Sequence, residues 1–258
     1  MYHELALPGR ATCRPNPGYT RYVVPADDFR AHMRRLADEG FHGKSVSQAM
    51  RSFDGNSVCI TFDDGCETDL LAAAPVLKEL GFGATSYITV NFLNKPGYMT
   101  DAHVRELHAL GFEIGCHSMT HPYLTDISDA QLHQETAGAK QRLEQIAGVH
   151  VDHYSCPGGR CDSRVVHAVQ QANFRTLATS VTGLNVPTTD PFALTRIAIL
   201  GGASSHKVLR VCRGQGLLLI QLKEQAREMA RRILGNQGYD SVRSLILGRN
   251  RKSDSPMD

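Results

Sequence analysis

The feature that most limits what this chain can fold into is an alternation. Short runs rich in β-branched and aromatic residues, at 58–62, 84–90, 112–116, 151–155, 174–178 and 194–200, are separated by segments with helical spacing. Helix start and stop signals frame those segments. After Pro25, Phe29, Met33 and Leu36 recur at helical intervals until Gly40, and Thr100 precedes Val104, Leu107 and Leu110 before Gly111. Ser128 with Gln131 forms a capping box for a longer helix that runs to about Ile146 and stops at Gly148. Strand and helix in strict turn predict parallel βα units and an α/β fold, with chemistry collected in the loops after the strands.

At 258 residues, one α/β domain can bury roughly 70% of its unfolded surface. No internal repeat or low-complexity linker interrupts it. The last forty residues differ: they read as one helix over 217–234 and a shorter one over 240–247. The expected division is therefore 1–205 for the α/β domain and 206–258 for a peripheral helical appendage. A net charge of +2 gives no reason to expect a polyanionic partner, and the tail's Arg227, Arg231 and Arg232 read as a solvated helix face, so nucleic acid is not expected. Seven cysteines, odd in number and irregular in spacing, read as free thiols and point to the cytosol. The longest aliphatic run near the end, Leu217 to Ile220, is too short for a membrane span.

Two short motifs carry chemistry. Thr61-Phe62-Asp63-Asp64-Gly65 places two acids where a buried strand runs out, and neighbouring side chains on extended backbone point to opposite sides. One acid can then bind a cation while the other takes a proton from water. Taken alone, Asp-Asp-Gly also suits an ordinary turn. His117-Ser118-Met119-Thr120-His121 sets two imidazoles four apart after the strand at 112–116, where a helical turn would bring both onto one face. Two neutral imidazoles and one carboxylate are a common ligand set for zinc or a similar ion, although two surface histidines among twelve would look the same. Cys66 and Cys116 flank these motifs and read as buried packing residues.

The string TFDDG followed some fifty residues later by HSMTH resembles the polysaccharide deacetylase family, also known as carbohydrate esterase family four or the nodulation-factor deacetylase homology domain. The resemblance covers roughly residues 1 to 200. It implies a distorted (β/α)7 barrel, Asp63 as catalytic base, and Asp64, His117 and His121 as ligands of a zinc-like ion. It further implies hydrolysis of an acetamide, with the tetrahedral oxyanion held by the ion and a backbone amide.

Two departures from the family pattern shape the remaining expectations. The third motif, usually Arg-x-Pro-Tyr-Gly, stands here as Ser155-Cys156-Pro157-Gly158-Gly159, so Ser155 occupies the arginine position and Gly158 the tyrosine position. The Gly158 N–H can still serve an oxyanion, because a positioned amide suffices, with Pro157 and Arg160 beside it. Arg160 or Arg196 can replace the missing arginine that orients the base, and Arg196 is preferred because it leaves a predicted strand. The late Leu-x-His-Asp motif is also absent. The opening Met1-Tyr2-His3-Glu4 resembles family members whose N-terminal strand delivers the histidine that protonates the leaving amine, which makes His3 the expected general acid.

The function implied is metal-dependent removal of acetyl from an N-acetylated sugar: an exopolysaccharide, a lipid-linked saccharide or a small glycoside. Few aromatics and no tryptophan argue against a long sugar-stacking cleft. A hydrolase of another linear or cyclic amide on the same fold, and a catalytically silent barrel, are the alternatives.

Overall fold

The computed structural model describes residues 1–222 together with 225, 226 and 229. Its centre is a curled parallel sheet in which β5 (Thr61–Asp64), β6 (Thr85–Ile88), β7 (Glu113–Cys116), β8 (His153–Ser155) and β9 (Thr176–Ala178) pair in sequence order. Each sequential pair is bridged by helix: Ala74–Glu79, Asp101–Ala109, Ala139–Ala147 and Ser163–Gln171 follow β5, β6, β7 and β8 in turn. Two smaller parallel pairs flank the sheet, β1 (Leu5–Ala6) with β2 (Val24–Pro25) and β3 (His42–Lys44) with β4 (Ser57–Cys59).

Main-chain hydrogen bonds curl the sheet into a ring. On one side of the N-terminal segment, Tyr2 N donates to Thr61 O at 2.8 Å and Asp63 N donates to Tyr2 O at 3.0 Å. On the other, Met1 N donates to Ile197 O at 3.0 Å and Ile199 N donates to Met1 O at 3.0 Å. The 194–199 segment in turn meets β9 through the Ala178–Leu194 bridge. Five strands and these two irregular segments make seven staves, in agreement with the parallel βα units expected from the alternation and with the (β/α)7 barrel that the resemblance implies. The expected strand at 194–200 therefore exists as a stave without a regular ladder.

Alternation along β5 decides what faces the centre. Phe62 points outward, where its ring packs 5.8 Å from Tyr2 and 5.7 Å from Phe29 of the helix Ala26–Asp38. Asp63 then points inward, and so does His3, which follows Tyr2 on the adjoining segment. The expected start and stop signals are realised in hydrogen bonds. Thr100 and Ser128 both form capping boxes, and Gly148 takes the left-handed conformation at φ 72° that a side chain would resist.

The long helix expected from Ser128 to Ile146 is present with one modification: residues Gln134–Gly138 form a π-turn. The extra residue in that turn buries Glu135 and Thr136, with consequences for the site below. Helix Ser205–Cys212 lays Val208, Leu209 and Val211 into the same core cluster as Phe29 and Met33, so that core runs past residue 205. Of the helices expected in the tail, residues 217–222 are helical; the rest of 217–234, and 240–247, lie outside the described residues apart from the three positions named above. Among the described residues no helix is long and apolar enough to cross a membrane.

Candidate functional site

β5, β7 and β8 deliver their last residues to one end of the barrel. Asp64 closes β5 with φ 81°, a left-handed conformation that turns its carboxylate across the barrel mouth. The histidine segment after β7 is not the helical turn its spacing suggests. Ser118 at φ 70° and His121 at φ 66° fold it into a tight non-helical turn. The cause is Glu135: its carboxylate accepts Met119 N–H at 2.9 Å and Thr120 N–H at 2.8 Å, drawing successive amides toward the π-turn. Ser118 Oγ adds a bond from His121 N–H at 2.9 Å.

The result is a convergence of three donors. Asp64 Oδ1 lies 3.2 Å from His121 Nε2 and 3.7 Å from His117 Nε2, and one ligand atom from each of the three residues falls within 4.8 Å of the others. Bonds of about 2.0–2.2 Å from a single ion would span such separations. The electrostatics also fit a cation: Asp64 Oδ1 is a buried carboxylate oxygen with no hydrogen-bond donor. His117 Nδ1 sits 2.8 Å from Ser155 O, a contact that requires the proton on Nδ1 and leaves the Nε2 lone pair facing Asp64. Burial pushes the His117 pKa down to about 4 against the pull of the Asp63 carboxylate, so the ring is neutral and able to ligate at neutral pH. On Asp64, burial raises the carboxyl pKa, but the close approach of the His121 ring outweighs it and holds it below the ordinary range.

Asp63 is built for a different job. Arg196 grips it bidentately, with Nη1 to Oδ1 at 2.7 Å and Nη2 to Oδ2 at 2.9 Å. The guanidinium is itself fixed by Nε to Thr179 O at 2.8 Å and Nη2 to Ser155 Oγ at 2.8 Å. Burial would raise the Asp63 pKa, yet the Arg196 charge prevails and brings it to about 2. The carboxylate stays ionised, 3.9 Å from His117 Nε2 at its nearer oxygen.

The remaining expected residues are distributed around this centre. His3 is half-buried on the segment beside β5; its ring packs 4.6 Å from Tyr22, and its Nδ1 is buried without a hydrogen-bond partner. Pro157 is buried and Gly158 exposed in the turn after β8, where φ 61° at Gly158 suits glycine. A Cβ there would come within 2.8 Å of the Tyr123 ring. Arg160 stands apart from Asp63: its guanidinium stacks 3.3 Å from the Tyr123 ring centroid and lies 3.9 Å from Asp126.

Several neighbours were not foreseen. Ser155 contributes both its carbonyl to His117 and its hydroxyl to Arg196. Arg14 lies 3.5 Å from Asp64 Oδ2 and 4.5 Å above the Phe92 ring, which itself stacks 5.7 Å from His121. Glu135 and Arg14 come from segments with no motif, so nothing local in the sequence marks them.

A family model described as polysaccharide deacetylase matches residues 51–177, a span that holds both acids of β5 and both histidines after β7. The chain belongs to the polysaccharide deacetylase family. It is 26% identical over 187 residues to a provisionally named polysaccharide deacetylase, YxkH, of Bacillus subtilis (strain 168), with 70% of this chain and 67% of that protein covered. It is 27% identical over 128 residues to the chitooligosaccharide deacetylase of Azorhizobium caulinodans, covering 49% of this chain and 59% of that one. The chain therefore spans about three-fifths to two-thirds of the length of these relatives. In fold it matches the Streptococcus pyogenes deacetylase PplD, solved in complex with acetate, with a TM-score of 0.72 at 21% identity over 81% of this chain and 94% of that one.

Proposed function

We propose that this family member is a metal-dependent hydrolase that removes the acetyl group from an N-acetylated sugar. The observation that carries the proposal is the meeting of Asp64, His117 and His121 beside an ionised Asp63 clamped by Arg196. Asp64, His117 and His121 would hold a divalent cation, in our reading zinc. When bound, the cation supplies a Lewis acid that polarises the acetamide carbonyl and acidifies a water.

This chain's own residues supply the rest. Asp63 takes the proton from the attacking water, and Arg196 keeps its carboxylate aimed while preventing it from being protonated. The exposed Gly158 N–H, on a turn started by Pro157, is the amide donor for the oxyanion. His3 faces the same interior and hands a proton to the departing amine. Arg160, stacked on Tyr123 at the rim, would meet the sugar rather than the base. The loss of the usual arginine at Ser155 would suit a silent barrel, but Arg196 clamps the Asp63 carboxylate from another stave and argues against that alternative. The substrate reading rests on the relatives' names and on the acetate held by the Streptococcus pyogenes protein, acetate being the acid such a reaction releases. The odd number and irregular spacing of the seven cysteines favour a reducing compartment such as the cytosol.

The test is acetate release from N-acetylglucosamine oligomers by zinc-loaded protein, with small cyclic amides assayed in parallel. Release from the oligomers, lost on chelation and restored by zinc, is the expected result. Turnover of cyclic amides alone would favour the other amide hydrolase, and no turnover with no retained metal would favour the silent barrel.

A second expectation concerns the histidine loop. Glu135→Ala removes the acceptor of two buried-side amides and should weaken zinc binding about 10- to 100-fold, as loss of an outer-shell partner does. Competition with a chromophoric chelator measures this; unchanged affinity would mean that the turn keeps its shape unaided.

A further inference from the structure

Beside the site, two cysteines far apart in sequence face each other. Cys13 Sγ lies 3.4 Å from Cys66 Sγ across 53 residues of chain, and a bonded pair requires about 2.05 Å. Cys66 follows Asp64-Gly65 directly, and Cys13 precedes Arg14, the residue that reaches Asp64 Oδ2. Both backbones are anchored. The Glu4 carboxylate accepts Cys13 N–H at 3.1 Å, and Cys13 Sγ donates to Gly97 O at 3.1 Å. Cys66 bridges to Tyr98, while its sulfur lies 3.2 Å from Tyr19 OH. Gly97 makes this approach feasible: at φ 83°, a Cβ on it would fall 2.9 Å from Cys13 Sγ. Packing therefore holds the two sulfurs in contact.

We infer that Cys13 and Cys66 are a thiol pair that oxidises to a disulfide, tying the loop that carries Arg14 to the catalytic turn. A low-molecular-weight disulfide such as oxidised glutathione serves as oxidant. Cys13, the half-buried sulfur, attacks it as thiolate, forming a mixed disulfide and expelling one glutathione thiolate. Cys66, buried behind it, attacks Cys13 Sγ and passes its proton to the departing sulfur, expelling the second glutathione as a thiol. The protein loses two hydrogens and two electrons, and one glutathione disulfide becomes two thiols. In a reducing compartment such a bond is transient, which is the behaviour of a redox-responsive pair.

The inference stands apart from the proposed reaction, because its readouts need no turnover. The full chain, metal-free, is incubated with oxidised glutathione, alkylated, and analysed by mass spectrometry of the intact protein and of its peptides. The expected result is loss of two of the seven thiols, a peptide joining Cys13 to Cys66, and a rise in Tm of about 5–10 °C from closing a 53-residue loop. Cys13→Ser and Cys13→Ala should each abolish the cross-link and the rise; the wild-type measurement stands even if a variant fails to fold. Seven thiols remaining free would overturn the inference. So would stable glutathionylation of Cys13 without ring closure, or a cross-link between Cys156 and Cys161 alone. Tight binding of added zinc by Glu4, Cys13 and Cys66, whose ligand atoms also cluster within 4.8 Å, in place of the cross-link would overturn it as well.

Discussion

Arg196→Met should destabilise the protein by about 3–5 kcal/mol, the cost of leaving a buried charge without its partner. Asp63 and Arg196 are only 3% and 7% exposed, and the guanidinium makes every close charge-assisted contact that the carboxylate receives from a cation. The single change leaves Asp63 to be solvated by a Ser155 hydroxyl at 3.4 Å, which cannot replace a bidentate clamp. Asp63→Asn in the same background should recover much of the loss, because the second change removes the stranded charge. Urea unfolding of the two single variants and the double variant, in chelator, measures the coupling. A loss under about 1 kcal/mol for Arg196→Met would mean that the pair is solvated and does not clamp the base.

Asp63→Asn should lower the rate of acetate release about 10²- to 10⁴-fold while zinc content stays at the wild-type level, since the amide keeps the shape but cannot take a proton. Asp63 is also outside the ligand trio, so the metal readout separates its role from that of Asp64. With the carboxyl held at about 2, the base is already ionised between pH 5 and 7, and protonation of Asp63 contributes nothing to the acid limb of the profile in that window. Equal loss of zinc and activity would instead place Asp63 among the ligands. Activity retained within threefold would assign the base elsewhere.

Much of the barrel was legible because burial on both faces forces continuous apolar runs, and five of those runs became β5 to β9. The limits of legibility are physical. The run at 58–62 is split at Ile60, where the chain leaves its pairing with β3 and joins β6; side-chain composition does not change there, so no pattern marks the switch. Strand β3, His42-Gly43-Lys44, has no β-branched residue and exists only because β4 pairs with it. At the site, Asp64, His117 and His121 were readable from short motifs, and Arg196 from its place in the apolar run at 194–200. The histidine turn was misread as helical because spacing four suits a helix, whereas Glu135, brought over by a π-turn, decides the backbone. Glu135, Arg14 and the hydroxyl of Ser155 act through contacts between distant segments, which a linear reading cannot weigh.

The way the ring closes also sets the order of events during folding. Met1 exchanges main-chain bonds with Ile197 and Ile199, nearly two hundred residues downstream, while Tyr2 is inserted beside β5. The Met1 side of this segment therefore cannot complete its pairing until the 194–199 stave, at the far end of the barrel sequence, is in place. Contacts of such long sequence separation are slow to form, because loop entropy must be surrendered before they contribute anything. Closure of the ring therefore comes late in assembly, and until Tyr2 is inserted the hydrogen-bonding edge of β5 is open to whatever strand arrives first.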